Sequence, residues 1–284
     1  MNMWDSIFKF EATTGGIYWA ENTLMQSPTV GQTVQGFQSI ESLEQNEQAT
    51  EVIVKKLLAP LPNPNSPIIC IGVNYRDHAR EAKIQVPEYP VMWYKPPTAL
   101  SNPDEGIEVP QFLFDSFLDY EGELVIVTSK TVKNIAPPKA KECILGYTIG
   151  NDLSARAYQS TKAGGGQYTY AKSFDKFAPI GPVLLRPKQF DLQCCRIETR
   201  VNGNVMQSSK FDFLHSPENL ISFLSKGTTI PAGTAIMTGT PAGVGVFRKP
   251  PCQLKRGDVV EVEVQPIGVL RNEIVLEAQA RTVI

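Results

Sequence analysis

Four prolines fall within Pro60-Leu-Pro-Asn-Pro-Asn-Ser-Pro67. Each fixes φ and removes a backbone donor, so this stretch can be neither a regular helix nor a central strand. It reads as a stiff extended linker that divides the 284-residue chain into two unlike parts. Residues 1–66, linker included, are expected to form a small N-terminal accessory domain, and residues 67–284 the main domain. The first part is polar and rich in Gln, Glu and Thr. It holds strand-like pieces at Ile7–Phe10 and Gly16–Trp19 and an expected short amphipathic helix over Gln48–Leu58.

Beyond the linker the pattern is strand-rich. Ile68-Ile-Cys-Ile-Gly-Val73 predicts a buried strand, as do Val91–Tyr94, Gly122–Thr128, Cys143–Gly150, Ala235–Thr238 and Val259–Val264. Asn202-Gly203-Asn204 between Arg196–Val201 and Val205–Ser208 predicts a hairpin. Helices are short: a turn over Asp77–Ala82, and Ser216–Ser225 with Ser216 as cap, Pro217 at the first position and Gly227 after the end. The expected class is α+β, mainly β, not an alternating doubly wound sheet.

Composition removes several partners. Hydrophobic residues make up 42%, enough for a substantial core, and 27 basic against 29 acidic residues form no basic stripe, so nucleic acid is not expected. No apolar run approaches bilayer length, so no membrane partner is expected. Asp5 and Glu11 lie where a transit peptide would be acid-poor, and no apolar core follows a basic start, so a cytoplasmic location is expected. Five cysteines without a C-x-x-C support neither a disulfide framework nor a thiolate metal site.

The sharpest chemical signal is Asp119-Tyr-Glu121-Gly-Glu123-Leu-Val. Side chains two apart on a strand share a face, so Glu121 and Glu123 would stand side by side. Their repulsion is relieved by a proton or a cation between them, and a hard divalent ion prefers carboxylate oxygens. Alone, the pair also fits a solvated strand end. In Gly146-Tyr-Thr-Ile-Gly-Asn-Asp152-Leu-Ser-Ala-Arg156, Asp152 ends a strand and could supply a third carboxylate. Arg156 could hold an anionic substrate group by two-pronged contact. A capped strand-to-helix turn explains the same residues.

Asn74-Tyr-Arg-Asp-His78-Ala-Arg-Glu81 places an imidazole and a carboxylate three apart on a helical turn, where they share a face. Such a pair makes a base able to take a proton from water. A surface histidine reads the same way without context. Lys172 follows Gly164-Gly-Gly166, a stretch suited to a mobile loop, and a buried lysine can stabilise an enolate or oxyanion. Thr238-Gly-Thr240-Pro offers a hydroxyl and backbone N–H groups at a strand end, or is simply a turn. No G-x-S-x-G elbow and no H-E-x-x-H occurs.

Taken in order, these segments resemble the fumarylacetoacetate hydrolase family. The matching run extends from Ile68 to about Asn272. It includes Ile71-Gly-Val-Asn-Tyr-Arg-Asp-His78, Lys95-Pro96, Asp119-Tyr-Glu-Gly-Glu-Leu124, Lys172-Ser-Phe-Asp175, Ile180-Gly-Pro182, Val201-Asn-Gly203 and Gly257-Asp258. The resemblance implies a mixed β-roll catalytic domain, usually homodimeric. It also implies Mg²⁺ or Mn²⁺, with Ca²⁺ admitted, held by Glu121, Glu123 and Asp152. It implies His78 and Glu81 as a water-activating pair on a mobile lid and Lys172 at the substrate's oxygens. Arg156, Gln159 and Thr240 fall at substrate-site positions. One departure stands out: members often read Ser-Ala-Arg-Asp, and this chain has Ala157.

The expected reaction is hydrolytic cleavage of a C–C bond in a 1,3-dicarbonyl or acylpyruvate-like acid. The alternative is decarboxylation or tautomerisation of a 2-oxo acid such as oxaloacetate at the same metal-enolate site. A third reading, a non-catalytic metabolite-binding member, rests on Ala157 alone.

Overall fold

The structure is a computed structural model and describes residues 4–23 and 27–278. Its main element is an eleven-stranded mixed sheet. In spatial order the path runs Thr33–Gly36, Thr50–Leu58, Ser6–Ala12, Ala178–Leu185, Ile144–Asn151, Gly122–Thr128, Ala235–Met237, Ile68–Gly72 and Val91–Lys95. A five-stranded sheet, Asn204–Lys210, Arg196–Val201, Val259–Val264, Gly268–Leu276 and Ile107–Val109, is the second layer. Phe8, Val54, Leu124, Ile126 and Ile149 of the large sheet share a core with Ile197, Val262, Val264 and Leu270 of the smaller one. The mainly β α+β class and the fold type expected from the sequence are what the structure has.

The strand Gly122–Thr128 is buried along its whole length. That suits a central strand covered on both faces, and its apolar run Leu124-Val-Ile-Val127 supplies the side chains. It pairs antiparallel with Ile144–Asn151 in a register that sets Gly122 opposite Asn151. The residues one step outside this ladder, Glu121 and Asp152, are therefore neighbours, and Asp152 N–H donates to Glu121 O at 2.8 Å. A one-residue slip would turn every side chain of the strand to the other face.

Two local expectations need correction. Thr50–Leu58 is a strand, not a helix. Its Glu-Val-Ile-Val core alternates, with Val52 and Val54 buried and Ile53 44% exposed. Period two and β-branching outweigh the weaker helical pattern once Thr33–Gly36 and Ser6–Ala12 offer partners on both sides. The helix Pro217–Leu224 is present, but the Ser216 side chain makes no capping bond. The strands Ile107–Val109, Ala178–Leu185 and Gly268–Leu276 lie outside the sequence-based expectation.

The proline stretch forms neither helix nor strand. Leu61 within it is 2% exposed and packs with Trp4, Ile7 and Trp19 against Val125 and Val127. The sheet also crosses this stretch, with Ser6 opposite Leu185 and Ile7 opposite Leu184.

Gly122 separates the two glutamates, and a Cβ there would overlap the buried Thr199 hydroxyl and lie 3.0 Å from Val262. Gly122→Ala is expected to cost roughly 1–3 kcal/mol by overpacking, read as a shift in the urea unfolding midpoint at unchanged m-value.

Candidate metal and substrate site

At the mouth of the Gly122–Thr128 strand, single oxygens of Glu121, Glu123 and Asp152 lie within 4.8 Å of one another, all three residues buried. The strand pairing alone produces this gathering, because two carboxylates begin one strand and the third follows its antiparallel neighbour. Such crowding is tolerated only with cations at hand. Lys172 Nζ lies 2.8 Å from Glu121 Oε2 and 2.6 Å from Asp152 Oδ2. Lys95 Nζ lies 2.6 Å from Asp152 Oδ1 and donates to the carbonyls of Leu153 and Phe177. Arg156 Nη1 lies 2.7 Å from Glu121 Oε1, and its Nε donates to Asp119 Oδ2 at 2.8 Å.

Glu123 is the carboxylate left over. Its Oε2 accepts the Gly239 N–H at 2.7 Å, while its buried Oε1 has no hydrogen-bond partner among the described residues. Burial first, then Asp152 and Glu121, pushes its carboxyl well above the usual range. For Glu121 burial acts in the same direction, but Lys172, Arg156 and His78 overrule it and hold the group at about 2. Burial would lower the Lys172 ammonium, yet Asp152 and Glu121 raise it. An all-oxygen set with one unpartnered buried oxygen fits a hard divalent cation such as Mg²⁺, Mn²⁺ or Ca²⁺, and the donors do not rank these ions.

A single loop fixes three acids through its backbone. Gly239 N–H donates to Glu123, Gly243 N–H to both oxygens of Glu81, and the N–H groups of Gly245 and Val246 to Asp119. Gly239 has φ +97°, and a Cβ there would lie 2.8 Å from Asn74 Cβ. Gly243 has φ +106°, and a Cβ would overlap the Met206 carbonyl. Both positions require glycine on conformation and on space.

His78 and Glu81 lie on the short helix Arg76–Glu81. His78 Nδ1 stands 3.4 Å from Glu81 Oε2. His78 lines a cavity of about 360 Å³ together with Glu121, Arg156, Gln159, Lys172 and Thr240. The expected site residues thus converge, with Glu123 and Asp152 beneath the cavity rather than on its wall. Arg156 is spent largely on Asp119 and Glu121, although its Nη2 is buried and unpartnered among the described residues, as is Gln159 Nε2. The Thr240 hydroxyl donates to Gly122 O and accepts from Gln207, so its proton is committed to the fold. The Gly164–Gly166 stretch sits between two helical turns, Thr161–Gly164 and Thr169–Lys172. Ala157 is exposed and does not line the cavity, so the departure at that position leaves the cluster intact.

Two members of the cluster had no assigned role in the sequence reading, Lys95 and Asp119. A lone lysine closing the apolar strand Val91–Lys95 is the one local signal for the first. Asp119 gives none, because apart from Arg156 and the adjacent Tyr120 N–H its partners are backbone groups 126 and 127 residues away.

The model of the fumarylacetoacetate (FAA) hydrolase C-terminal domain matches residues 67–275. The chain belongs to the fumarylacetoacetate hydrolase family. Within it, the chain is 41% identical over 223 residues to the oxaloacetate tautomerase YisK of Bacillus subtilis, covering 77% of this chain and 73% of that one. It is 38% identical over 241 residues to the mitochondrial oxaloacetate tautomerase fahd2 of Xenopus laevis, covering 82% and 73%. A crystal structure of a 5-carboxymethyl-2-hydroxymuconate delta-isomerase from Mycobacterium smegmatis superposes with TM-score 0.77 at 31% identity, over 96% of this chain and all of the other.

Glu123→Gln replaces the carboxyl that burial and its acidic neighbours push up, and lets the amide donate to its neighbours. The metal-free variant is expected to melt higher by about 2–4 °C per kcal/mol gained, while losing the Mg²⁺-induced rise seen in the parent, both read by thermal shift.

Proposed function

We propose that the chain is a divalent-metal-dependent keto–enol tautomerase of 2-oxo acids, for which oxaloacetate is the reference substrate. The supporting observation is a proton carrier, His78, on the wall of a cavity that Glu121 of the acidic cluster, Arg156, Gln159 and Lys172 also line. The activity named for relatives 38% and 41% identical agrees with it. The hydrolytic reaction expected from the sequence therefore gives place to its alternative. Tautomerisation needs one proton moved between adjacent atoms and no attacking water.

Glu121, Glu123 and Asp152 would hold the ion. When bound, it supplies Lewis-acid polarisation of the 2-oxo group, which acidifies the neighbouring C–H. Arg156 and Gln159, both on the cavity wall, take the substrate carboxylate. His78 removes a proton from C3 and returns it to the C2 oxygen, or runs the reverse. Glu81, itself fixed by Gly243 N–H, steadies the imidazolium that forms in between. Lys172, buried between Glu121 and Asp152, adds positive charge where the enolate oxygen develops. Apolar walls keep water from the enolate.

The test is decay of enol oxaloacetate followed by ultraviolet absorbance with Mg²⁺ present. His78→Ala is expected to lower kcat about 10²–10⁴-fold, and chelation should abolish turnover until Mg²⁺ or Mn²⁺ returns. Acylpyruvate cleavage at a substantial rate with no enol–keto exchange would reverse the assignment.

A further inference from the structure

The cavity is polar at one end only. Of its lining residues, Arg156 and Lys172 both reach within 2.8 Å of the Glu121 carboxylate, and His78 shares the wall with them. Ile84, Val91, Trp93, Tyr168, Val246 and Phe247 make much of the apolar wall, and Gln159, Ser160 and Thr240 add uncharged polar groups. Trp93 and Tyr168 stand with ring centroids 5.3 Å apart, and the Lys172 ammonium lies 4.8 Å over the Trp93 ring. The aromatic pair thus marks where charge ends and apolar surface begins. Among the described lining residues the lysine and arginine are Lys172 and Arg156, each already paired with carboxylates.

Charge counting points the same way. Within the ion-paired cluster, Asp119, Glu121, Glu123 and Asp152 face Lys95, Arg156 and Lys172, a surplus of one negative charge once an ion between the acids keeps all four ionised, with Glu81 outside it against His78. A divalent cation turns this into one positive charge, and one substrate carboxylate neutralises it. A second carboxylate would bring an unpaired charge against an apolar wall, which is costly. Arg156 and Gln159, adjacent on the cavity wall, likewise suffice for one carboxylate.

We propose that the outer cavity is a subsite for an apolar substituent on C3, so that aryl or branched-alkyl 2-oxo monocarboxylates are bound better than dicarboxylates. This rests on the reaction proposed above for the choice of substrate class, but the subsite itself is a binding property. A planar aromatic group would lie against the Trp93 and Tyr168 rings. The carboxylate and the 2-oxo group stay at the polar end.

Calorimetric titration of the Mg²⁺-loaded protein with three oxamates separates the possibilities. Oxamate fills the polar end, N-phenyloxamate adds an apolar group, and N-oxalylglycine adds a second carboxylate. N-phenyloxamate is expected to bind about tenfold or more tighter than oxamate, and N-oxalylglycine no tighter than oxamate. Ile84 and Phe247 are 42% and 38% exposed, so a glutamate at either position is tolerable to the fold. Ile84→Glu and Phe247→Glu should each cut the phenyl advantage to less than about threefold. Equal affinities, a preference for N-oxalylglycine, or an advantage untouched by both variants overturns the subsite. Enol–keto exchange is measured separately on phenylpyruvate and oxaloacetate. A phenyl preference without exchange on either acid removes the reaction and leaves the subsite. Exchange on oxaloacetate without a phenyl preference does the reverse, and failure of all three oxamates to bind removes both.

Discussion

The arrangement depends on an excess of buried carboxylate at the mouth of one strand. Glu121, Glu123 and Asp152 crowd within 4.8 Å, and the protein meets that repulsion only in part. Lys95 and Lys172 grip Asp152 from its two oxygens, and Arg156 and Lys172 share Glu121. Glu123 receives one backbone N–H and no other hydrogen bond among the described residues. Desolvation makes an unpaired buried charge expensive, so the site is built with a standing demand for a cation. A fold that carries such a cost near a cavity does so where chemistry benefits from it.

The geometry that meets this demand is mostly backbone. The antiparallel register brings Asp152 to Glu121, and the parallel entry of Ala235–Met237 beside Ile68–Gly72 delivers the Gly239–Val246 loop above them. That loop holds Glu123, Glu81 and Asp119 through its own N–H groups. One candidate cation ligand, Glu123, and the partner of His78 are therefore set by one piece of chain. Positive φ at Gly239 and Gly243 makes the path available.

Much of this was legible from the residues. Glu121 and Glu123 announce themselves by strand periodicity, and His78 with Glu81 by helical spacing, because both signals are local. The strand Gly122–Thr128 is likewise written in a short apolar run, and Val259–Val264 in period-two alternation. What stayed hidden is non-local. Asp119 finds its donors in a loop more than a hundred residues away, and no spacing rule encodes that. Lys95 reads as an ordinary strand end until Phe177 O and Asp152 close around it. Thr50–Leu58 was misread because its helical and strand periodicities compete, and only the partners on both sides decide between them. The cavity's apolar far wall is assembled from four separate segments, so its character emerges only in three dimensions.

The pairing of Ser6–Ala12 with Ala178–Leu185 carries a consequence for how the molecule is handled. The family match begins at residue 67, which invites trimming the chain there. Doing so would strip the outer neighbours from a fully buried strand and bare Leu184 and Leu185 along an open edge. Unprotected edges of that kind recruit other chains, so a shortened protein should precipitate or form soluble aggregates even with every acidic ligand in place.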